Sequence, residues 1–268
     1  MKKLATGVAY LDEGSGDDVV LLLHGSFSAD WFVPVGRRLA EDGYRVVLMH
    51  RPGYGQSGDL GSDVGVPVQI GEAVNVLAAA GVRQAHVVGH SSGCAVALQL
   101  ALDHQELVRS LVLLEPAFPP APDEPKNPAM PHAIAAAREG DFAGAFDRFL
   151  GGVSGAGFRD VFVRELGQSG LDRAVASSRF FFTTEAAAFG AWSCGPAEAA
   201  AVTAPVLLVV GGEGERLNTP HRARSAQLAA WLPHAEIRVL PGVSHAMPLE
   251  DPPLVAATIE QFVAGEEK

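Results

Sequence analysis

The sequence has few cysteines and few positive charges, and these shortages exclude several classes of protein. Its 268 residues include two cysteines, Cys94 and Cys194, which are too few for a disulfide framework. Its 20 basic residues stand against 31 acidic ones, whereas a surface that binds nucleic-acid phosphates needs clustered positive charge. The longest apolar runs, such as residues 19–23, are far shorter than the roughly 20 residues of a membrane span. We therefore expect a soluble, cytoplasmic protein that binds neither nucleic acid nor membranes.

Short apolar runs alternate with segments of helical periodicity along most of the chain. Such runs, bounded by turn residues, are typical of strands that are buried on both faces. They lie at residues 19–23, 45–49, 86–88, 110–114, 206–210 and 236–240. Helix-like segments separate most of them, and this order predicts an α/β fold with a parallel sheet and helices on both faces.

The alternation stops at Pro116. Seven prolines fall between Pro116 and Pro131, a density that neither a helix interior nor a strand tolerates. A helical stretch rich in aromatic residues follows, after which strands and helices alternate again. We therefore divide the chain into a core of residues 1–115 and 203–268 and a helical insertion of residues 116–202.

Residues 89–93 read Gly-His-Ser-Ser-Gly, a Gly-x-Ser-x-Gly motif between a predicted strand and a predicted helix. The central residue of such a sharp turn takes a positive φ, and its neighbours pack so tightly that they need to be glycine. The turn also places the Ser91 hydroxyl at a helix N-terminus, where the helix dipole favours developing negative charge. Ser91 is therefore the candidate nucleophile.

A nucleophilic serine requires backbone N–H groups that stabilise the oxyanion of the tetrahedral intermediate. The N–H of Ser92, directly after the candidate nucleophile, is one expected donor. The second donor is expected in the loop after His24 and Gly25, which follows the first predicted strand. Either Ser26 or Phe27 can supply it.

His245 is the candidate base, because it lies in a loop directly after the last predicted strand. The carboxyl ends of parallel strands meet at one edge of the sheet, so this loop and Ser91 share that edge. As a base, His245 is expected to titrate with an apparent pKa of about 6–7.5. Most other histidines lie in predicted strands, helices and turns where core or surface roles are expected, and we predict no metal and no cofactor.

Four motifs together resemble the α/β-hydrolase superfamily, in its serine-nucleophile branch with a helical cap. They are His24-Gly25 with Trp31, the turn at residues 51–57, the Gly-x-Ser-x-Gly motif, and Gly-Val-Ser-His at residues 242–245. The resemblance covers nearly the whole chain. It implies an α/β-hydrolase fold with a mostly parallel eight-stranded sheet, a cap inserted after the sixth strand, and a catalytic triad in the chain order serine, acid, histidine.

The resemblance leaves two candidates for the acid of the triad. Most of the family carries it after the seventh strand, where this chain has no aspartate and where Gly214 or Glu215 stands, depending on the alignment. Some branches carry it at the end of the sixth strand, where this chain has Glu115. A carboxylate at the end of a buried strand needs a partner, and an imidazole N–H is a suitable one. We favour Glu115 and keep Glu215 as the alternative.

The resemblance implies hydrolysis, and the aromatic insertion favours an apolar substrate. The predicted function is a serine hydrolase that cleaves a small-molecule ester or lactone through an acyl-enzyme, as a monomer or homodimer. Thioesterase, cyclase and carbon–carbon hydrolase activities can use the same residues. A ligand-binding protein with little turnover is the alternative from another class. Related dehalogenases and epoxide hydrolases are disfavoured, because they carry an aspartate where Ser91 stands.

Overall fold

A sheet of eight strands forms the centre of the molecule in the computed structural model, which describes residues 1–58 and 64–265. The strands are β1 (Lys2–Lys3), β2 (Ala9–Glu13), β3 (Val19–Leu23), β4 (Arg45–His50), β5 (Ala85–His90), β6 (Val108–Leu114), β7 (Val206–Gly211) and β8 (Ala235–Leu240). Their order across the sheet is β1-β2-β4-β3-β5-β6-β7-β8. The pairs β1–β2 and β2–β4 are antiparallel, whereas every pair from β4 to β8 is parallel. The α/β fold with a mostly parallel eight-stranded sheet, which the sequence predicts, is confirmed.

Helices connect these strands and follow the last one. They are α1 (Val33–Glu41), α2 (Val66–Ala79), α3 (Gly93–Asp103), α4 (Ala129–Arg138), α5 (Phe142–Ser154), α6 (Phe158–Phe180), α7 (Ala186–Gly190), α8 (Pro196–Ala199), α9 (His221–Trp231), α10 (Met247–Glu250) and α11 (Pro252–Gly265). A π-helical turn, Phe181–Glu185, connects α6 to α7. None of the helices in the described part of the chain combines the length and the hydropathy that crossing a bilayer requires.

The central strands are buried on both faces because their side chains alternate between two hydrophobic cores. In β3, Val20 and Leu22 belong to one core, and Leu21 and Leu23 belong to the other. Apolar residues of α1 and α11 complete the first core, and those of α2, α3 and α9 complete the second. Helices therefore cover both faces of the sheet, which leaves the edge at the carboxyl ends of the strands for the loops.

The proline-rich segment and the helices α4 to α8 form the insertion of residues 116–202, between β6 and β7. Phe146 of the insertion belongs to one hydrophobic cluster with Phe27 and Trp31, which lie in the loop after β3. The insertion thus packs against the loop that contains the second expected oxyanion donor. The division into a core of residues 1–115 and 203–268 and an insertion of residues 116–202 stays a prediction. Residues 59–63 and 266–268 of that core lie outside the described residues.

Candidate active site

The turn between β5 and α3 holds Ser91 at the edge of the sheet. Its backbone takes a φ of 54°, in the left-handed region that such a turn requires. A Cβ on Gly93 would lie 2.2 Å from the carbonyl oxygen of Leu23. One on Gly89 would lie 2.8 Å from the Cα of Cys94. The tight packing of this turn therefore explains both glycines of the motif.

His245 lies between Ser91 and Glu115 and contacts both. Its Nε2 is 3.0 Å from Ser91 Oγ, and its Nδ1 is 2.7 Å from Glu115 Oε2. The second carboxylate oxygen, Oε1, accepts a hydrogen bond of 2.8 Å from the N–H of Gly211 at the end of β7. A carboxylate that holds Nδ1–H leaves Nε2 free to accept a serine proton, as a chain of nucleophile, base and acid requires.

Neighbouring strand ends bring these side chains together. The N–H of Ser91 donates to the carbonyl oxygen of the last β6 residue at 3.0 Å, and the N–H of Glu115 donates to that of Val209 in β7 at 2.9 Å. The backbone of Glu115 takes a φ of 47°, which is uncommon for a residue other than glycine. The loop of His245 is fixed by His90, whose Nε2 lies 2.8 Å from the His245 carbonyl oxygen.

The alternative acid, Glu215, lies away from these contacts. Its side chain is 72% exposed, and its Oε1 is 3.4 Å from Nη1 of Arg222. The side chain of Glu115, by contrast, is 1% exposed. The structure therefore brings Glu115, and not Glu215, to His245.

The loop after β3 and the turn after β5 meet at the site. The hydroxyls of Ser26 and Ser92 are 2.9 Å apart, and the Trp31 indole N–H donates to the Ser26 carbonyl oxygen at 2.7 Å. Among the hydrogen bonds between described residues, none engages the backbone N–H of Ser26 or of Ser92. Burial raises the pKa of the Tyr54 hydroxyl, and the backbone N–H of Phe27 opposes that rise. That Ser26 or Phe27 supplies the second oxyanion donor stays a prediction.

Burial favours the neutral imidazole at His245. Burial first, and then the positive charge of Arg224, lower the pKa of His245 below its ordinary value of 6.5. The lowered pKa of His245, about 3, lies below the whole range of about 6–7.5 expected from the sequence, and that expectation is wrong because it took no account of burial. Burial raises the pKa of Glu115, while the electrostatic interaction with the His221 imidazole and the hydrogen bond from the N–H of Gly211 oppose that rise.

A second imidazole lies against the same carboxylate. The ring of His221, at the start of α9, stacks on the ring of His245, with centroids 4.3 Å apart and an angle of 5° between the planes. Its Nε2 is 3.6 Å from Glu115 Oε2. Burial lowers the pKa of His221 to about 3, although the charge on Glu115 opposes this. No sequence motif marks His221, which simply follows Pro220 before a helix.

The cluster of Glu115, His221 and His245 places three possible metal-ligand atoms within 4.8 Å of one another. The nitrogen lone pairs of stacked imidazoles lie in parallel planes, so they do not converge on one ion at the roughly 2.0–2.1 Å that zinc requires. This conformation of the cluster therefore does not fit a metal ion. That the protein binds no metal stays a prediction.

A second group of buried polar side chains adjoins the loops of Ser26 and Ser92. Arg51, from the turn after β4, and Glu185, from the π-helical turn, form an ion pair of 2.7 Å, and both side chains are fully buried. Glu185 Oε2 accepts hydrogen bonds of 2.6 Å from the hydroxyls of Ser26 and Tyr54. Arg51 Nη2 donates to Ser92 Oγ at 2.9 Å. No sequence motif marks Glu185, which lies 134 residues from Arg51 along the chain.

Phenylalanines of the insertion cover the loop after β3. The ring centroid of Phe27 lies 4.6 Å from that of Phe181 and 5.4 Å from that of Phe149. Phe181 belongs to the same hydrophobic cluster as Phe27, and Phe149 packs against that cluster. These aromatic side chains therefore form part of the core of the insertion and pack it against the loop after β3.

Comparison with known proteins agrees with this fold. A model described as that of the alpha/beta hydrolase family matches residues 20–258. The chain therefore belongs to the alpha/beta hydrolase family, and the family resemblance carried by its motifs is confirmed.

Part of the chain is similar to a curated enzyme from Pseudomonas sp, a 2-hydroxy-6-oxononadienedioate/2-hydroxy-6-oxononatrienedioate hydrolase. The two are 33% identical over 107 residues, which cover 38% of this chain and 38% of that protein. The match thus spans well under two thirds of the length of that relative.

Two solved structures are similar over nearly the whole chain. An N-acyl homoserine lactone degrading enzyme is 25% identical with a TM-score of 0.71, and the match covers 95% of this chain and 96% of that one. The enol-lactonase from Burkholderia xenovorans is 17% identical with a TM-score of 0.77, and the match covers 96% of each chain. The second likeness concerns the fold alone.

Proposed function

We propose that this protein is a serine hydrolase that cleaves an ester or lactone with an apolar group through an acyl-enzyme intermediate. The observation that carries the proposal is the continuous contact from Ser91 Oγ through His245 to Glu115, with distances of 3.0 and 2.7 Å. A serine hydroxyl is a weak nucleophile until a base accepts its proton, and His245 is in position to do so.

In this mechanism Ser91 Oγ attacks the carbonyl carbon of the substrate while His245 Nε2 takes the hydroxyl proton. Glu115 keeps Nδ1 protonated and stabilises the imidazolium that forms. The N–H groups of Ser26 and Ser92 stabilise the charge on the carbonyl oxygen, an effect worth about 10²–10³ in kcat for each donor. His245 then gives its proton to the leaving alcohol and activates the water that releases the acid. The insertion acts as a cap over these steps.

The surroundings of the site favour an apolar, uncharged substrate. Phe149 and Phe181 of the cap pack on Phe27 beside the proposed oxyanion donors. Arg51, which lies against the Ser92 hydroxyl, is already paired with Glu185. A substrate carboxylate would therefore meet a guanidinium whose charge is balanced. The likeness to an N-acyl homoserine lactone degrading enzyme over 95% of this chain supports lactones as candidates.

Carbon–carbon bond hydrolysis is the second candidate. The 33% identity over 107 residues to a 2-hydroxy-6-oxononadienedioate hydrolase favours it. Against it stands the pairing of Arg51, since a dioate requires positive charge to bind its carboxylates. Thioester cleavage and cyclisation use the same nucleophile and are separated by the choice of substrates.

The test combines labelling of the nucleophile with a panel of substrates. We expect Ser91 to react with a fluorophosphonate, and p-nitrophenyl esters or lactones to be cleaved faster than thioesters or a 2-hydroxy-6-oxodienoate. Ser91→Ala is expected to lose about 10⁴–10⁶ in kcat, because nucleophile and base act as a unit. Ser154→Ala is the matched control: both serines are 8% exposed, and no described residue bonds the Ser154 hydroxyl.

Three results would change the proposal. A Ser91→Ala variant that keeps more than about a tenth of the activity would refute the nucleophile. Labelling without turnover of any substrate would favour a ligand-binding protein. Preferential cleavage of the dienoate would make carbon–carbon hydrolysis the function.

A further inference from the structure

The cap places one carboxylate, that of Glu185, against both loops that hold the proposed oxyanion donors. We propose that Glu185 is a positioning residue for Ser26 and Ser92, and that the site is complete only while the cap that carries Glu185 is docked on the core. This inference rests on the proposed function, because it assigns a role within the same site.

Two short paths lead from Glu185 to the two loops. The first is direct, since Ser26 Oγ donates to Glu185 Oε2 at 2.6 Å. The second passes through Arg51, whose Nη1 is 2.7 Å from Glu185 Oε1 and whose Nη2 donates to Ser92 Oγ at 2.9 Å. The hydroxyls of Ser26 and Ser92, 2.9 Å apart, close a ring of four side chains. Both serines are therefore held by the same cap carboxylate.

Burial and charge make this ring rigid. Glu185 and Arg51 are fully buried, and each balances the charge of the other. Burial raises the pKa of Tyr54 well above its ordinary value, so its hydroxyl stays protonated and donates to Glu185 Oε2. Opening the ring would leave buried charges and hydroxyls without partners, which disfavours alternative arrangements of the two loops.

Glu185 acts through these partners rather than on the substrate. Among the described contacts, its carboxylate touches neither Ser91 nor His245. The carbonyl oxygen of Ser26 is fixed separately by the Trp31 indole, so Glu185 adds control of the Ser26 side chain. Oxyanion donors are effective only at about 2.7–3.1 Å from the oxygen, so a small displacement of either loop lowers the rate.

The first test compares Glu185→Gln with the wild type. The amide leaves the buried guanidinium of Arg51 without a counter-charge. Its NH2 group can only donate, so the hydroxyls of Ser26 and Tyr54, which donate to the carboxylate, lose their charge-assisted hydrogen bonds and the ring is weakened. We expect kcat per labelled site and the rate constant of Ser91 labelling by a fluorophosphonate to fall together by about tenfold or more, because both reactions place negative charge in the oxyanion hole. We expect KM to change less than about threefold, because the donors act mainly in the transition state.

Arg173→Gln is the matched control for docking of the cap. Arg173 forms an ion pair of 2.9 Å with Asp30, which also joins the cap to the core but lies at the surface. The kcat and the labelling rate constant of Arg173→Gln are expected to stay within about twofold of those of the wild type.

A second variant separates positioning from folding. Arg51→Met combined with Glu185→Leu leaves no buried charge unpaired, so its melting temperature is expected to lie closer to that of the wild type than the melting temperature of Glu185→Gln does. Its labelling rate and kcat are still expected to fall, since Ser26 loses Glu185 and Ser92 loses Arg51, and only the contact between the two serines remains. Wild-type rates in this double variant, or rates in Glu185→Gln equal to those of Arg173→Gln, would overturn the proposal.

Failure of the proposed function gives a different result. If the fluorophosphonate does not label the wild type at Ser91, the proposed function is refuted, and this inference falls with it. If the wild type is labelled and both Glu185 variants are labelled at the same rate, this inference alone is refuted.

Discussion

Replacing Glu115 by glutamine exchanges one oxygen for an NH2 group, and the contacts of Glu115 decide where that group lies. Oε1 accepts the N–H of Gly211 at 2.8 Å, so an NH2 group there would face another donor. The amide oxygen is therefore expected to keep this contact, which leaves the NH2 group in the place of the oxygen 2.7 Å from His245 Nδ1. Nδ1 must then accept a hydrogen bond, so Nε2 carries the proton and cannot take that of Ser91.

The wrong tautomer removes the base, and the corresponding change in a serine protease triad lowers kcat by about 10⁴. A loss of that size equals about 5 kcal/mol of transition-state stabilisation. We expect the same order of loss in Glu115→Gln. Glu215→Gln is the control, because its exposed carboxylate contacts only Arg222 among the described residues, and it should stay within about tenfold of the wild type.

The assay measures kcat for a p-nitrophenyl ester per site labelled by a fluorophosphonate, and a melting curve of each variant shows whether the fold is kept. A Glu115→Gln variant within tenfold of the wild type would refute the reasoning about the tautomer. Severe impairment of Glu215→Gln with near-normal Glu115→Gln would reverse the assignment of the acid.

Two further predictions concern pH and packing. Burial lowers the pKa of His245 to about 3 and only the neutral imidazole accepts a proton, so kcat/KM should stay constant well below pH 6.5 and fall only as the pH approaches the lowered pKa. A pH–rate profile with a midpoint above 6.5 would contradict this. Gly93→Ala should destabilise the fold severely, because its Cβ would lie 2.2 Å from the carbonyl oxygen of Leu23. Gly71→Ala in α2, whose Cβ would meet no atom within 4 Å, should instead raise the free energy of unfolding by about 0.5–1 kcal/mol, as chemical denaturation can measure.

The parallel part of the sheet could be predicted because its strands are recognisable locally. All five residues of β3 are apolar and buried, so the run itself indicates a strand covered on both faces. β1 offers no such signal, since Lys2 and Lys3 are both exposed. Its two-residue pairing with β2 depends on the sheet that is already formed.

Only those residues of the site that belong to local sequence motifs could be predicted. Glycine spacing marks Ser91, and the position after the last strand marks His245. The sequence could not decide between Glu115 and Glu215, because the ends of neighbouring parallel strands reach the same edge. His221 and Glu185 could not be found at all, since their partners Glu115 and Arg51 lie more than 100 residues away along the chain.

The strained backbone at the edge of the sheet has a consequence for engineering this protein. Among the described residues, positive φ outside glycine occurs at Phe27, Ser91, Glu115 and Asn218, and the first three lie at the site. Each such residue costs about 1–3 kcal/mol, which glycine would recover while removing the side chain. Substitutions selected for thermostability alone would therefore erode the proposed activity first at these positions. A library meant to preserve turnover should keep residues 27, 91 and 115 fixed and seek stability elsewhere.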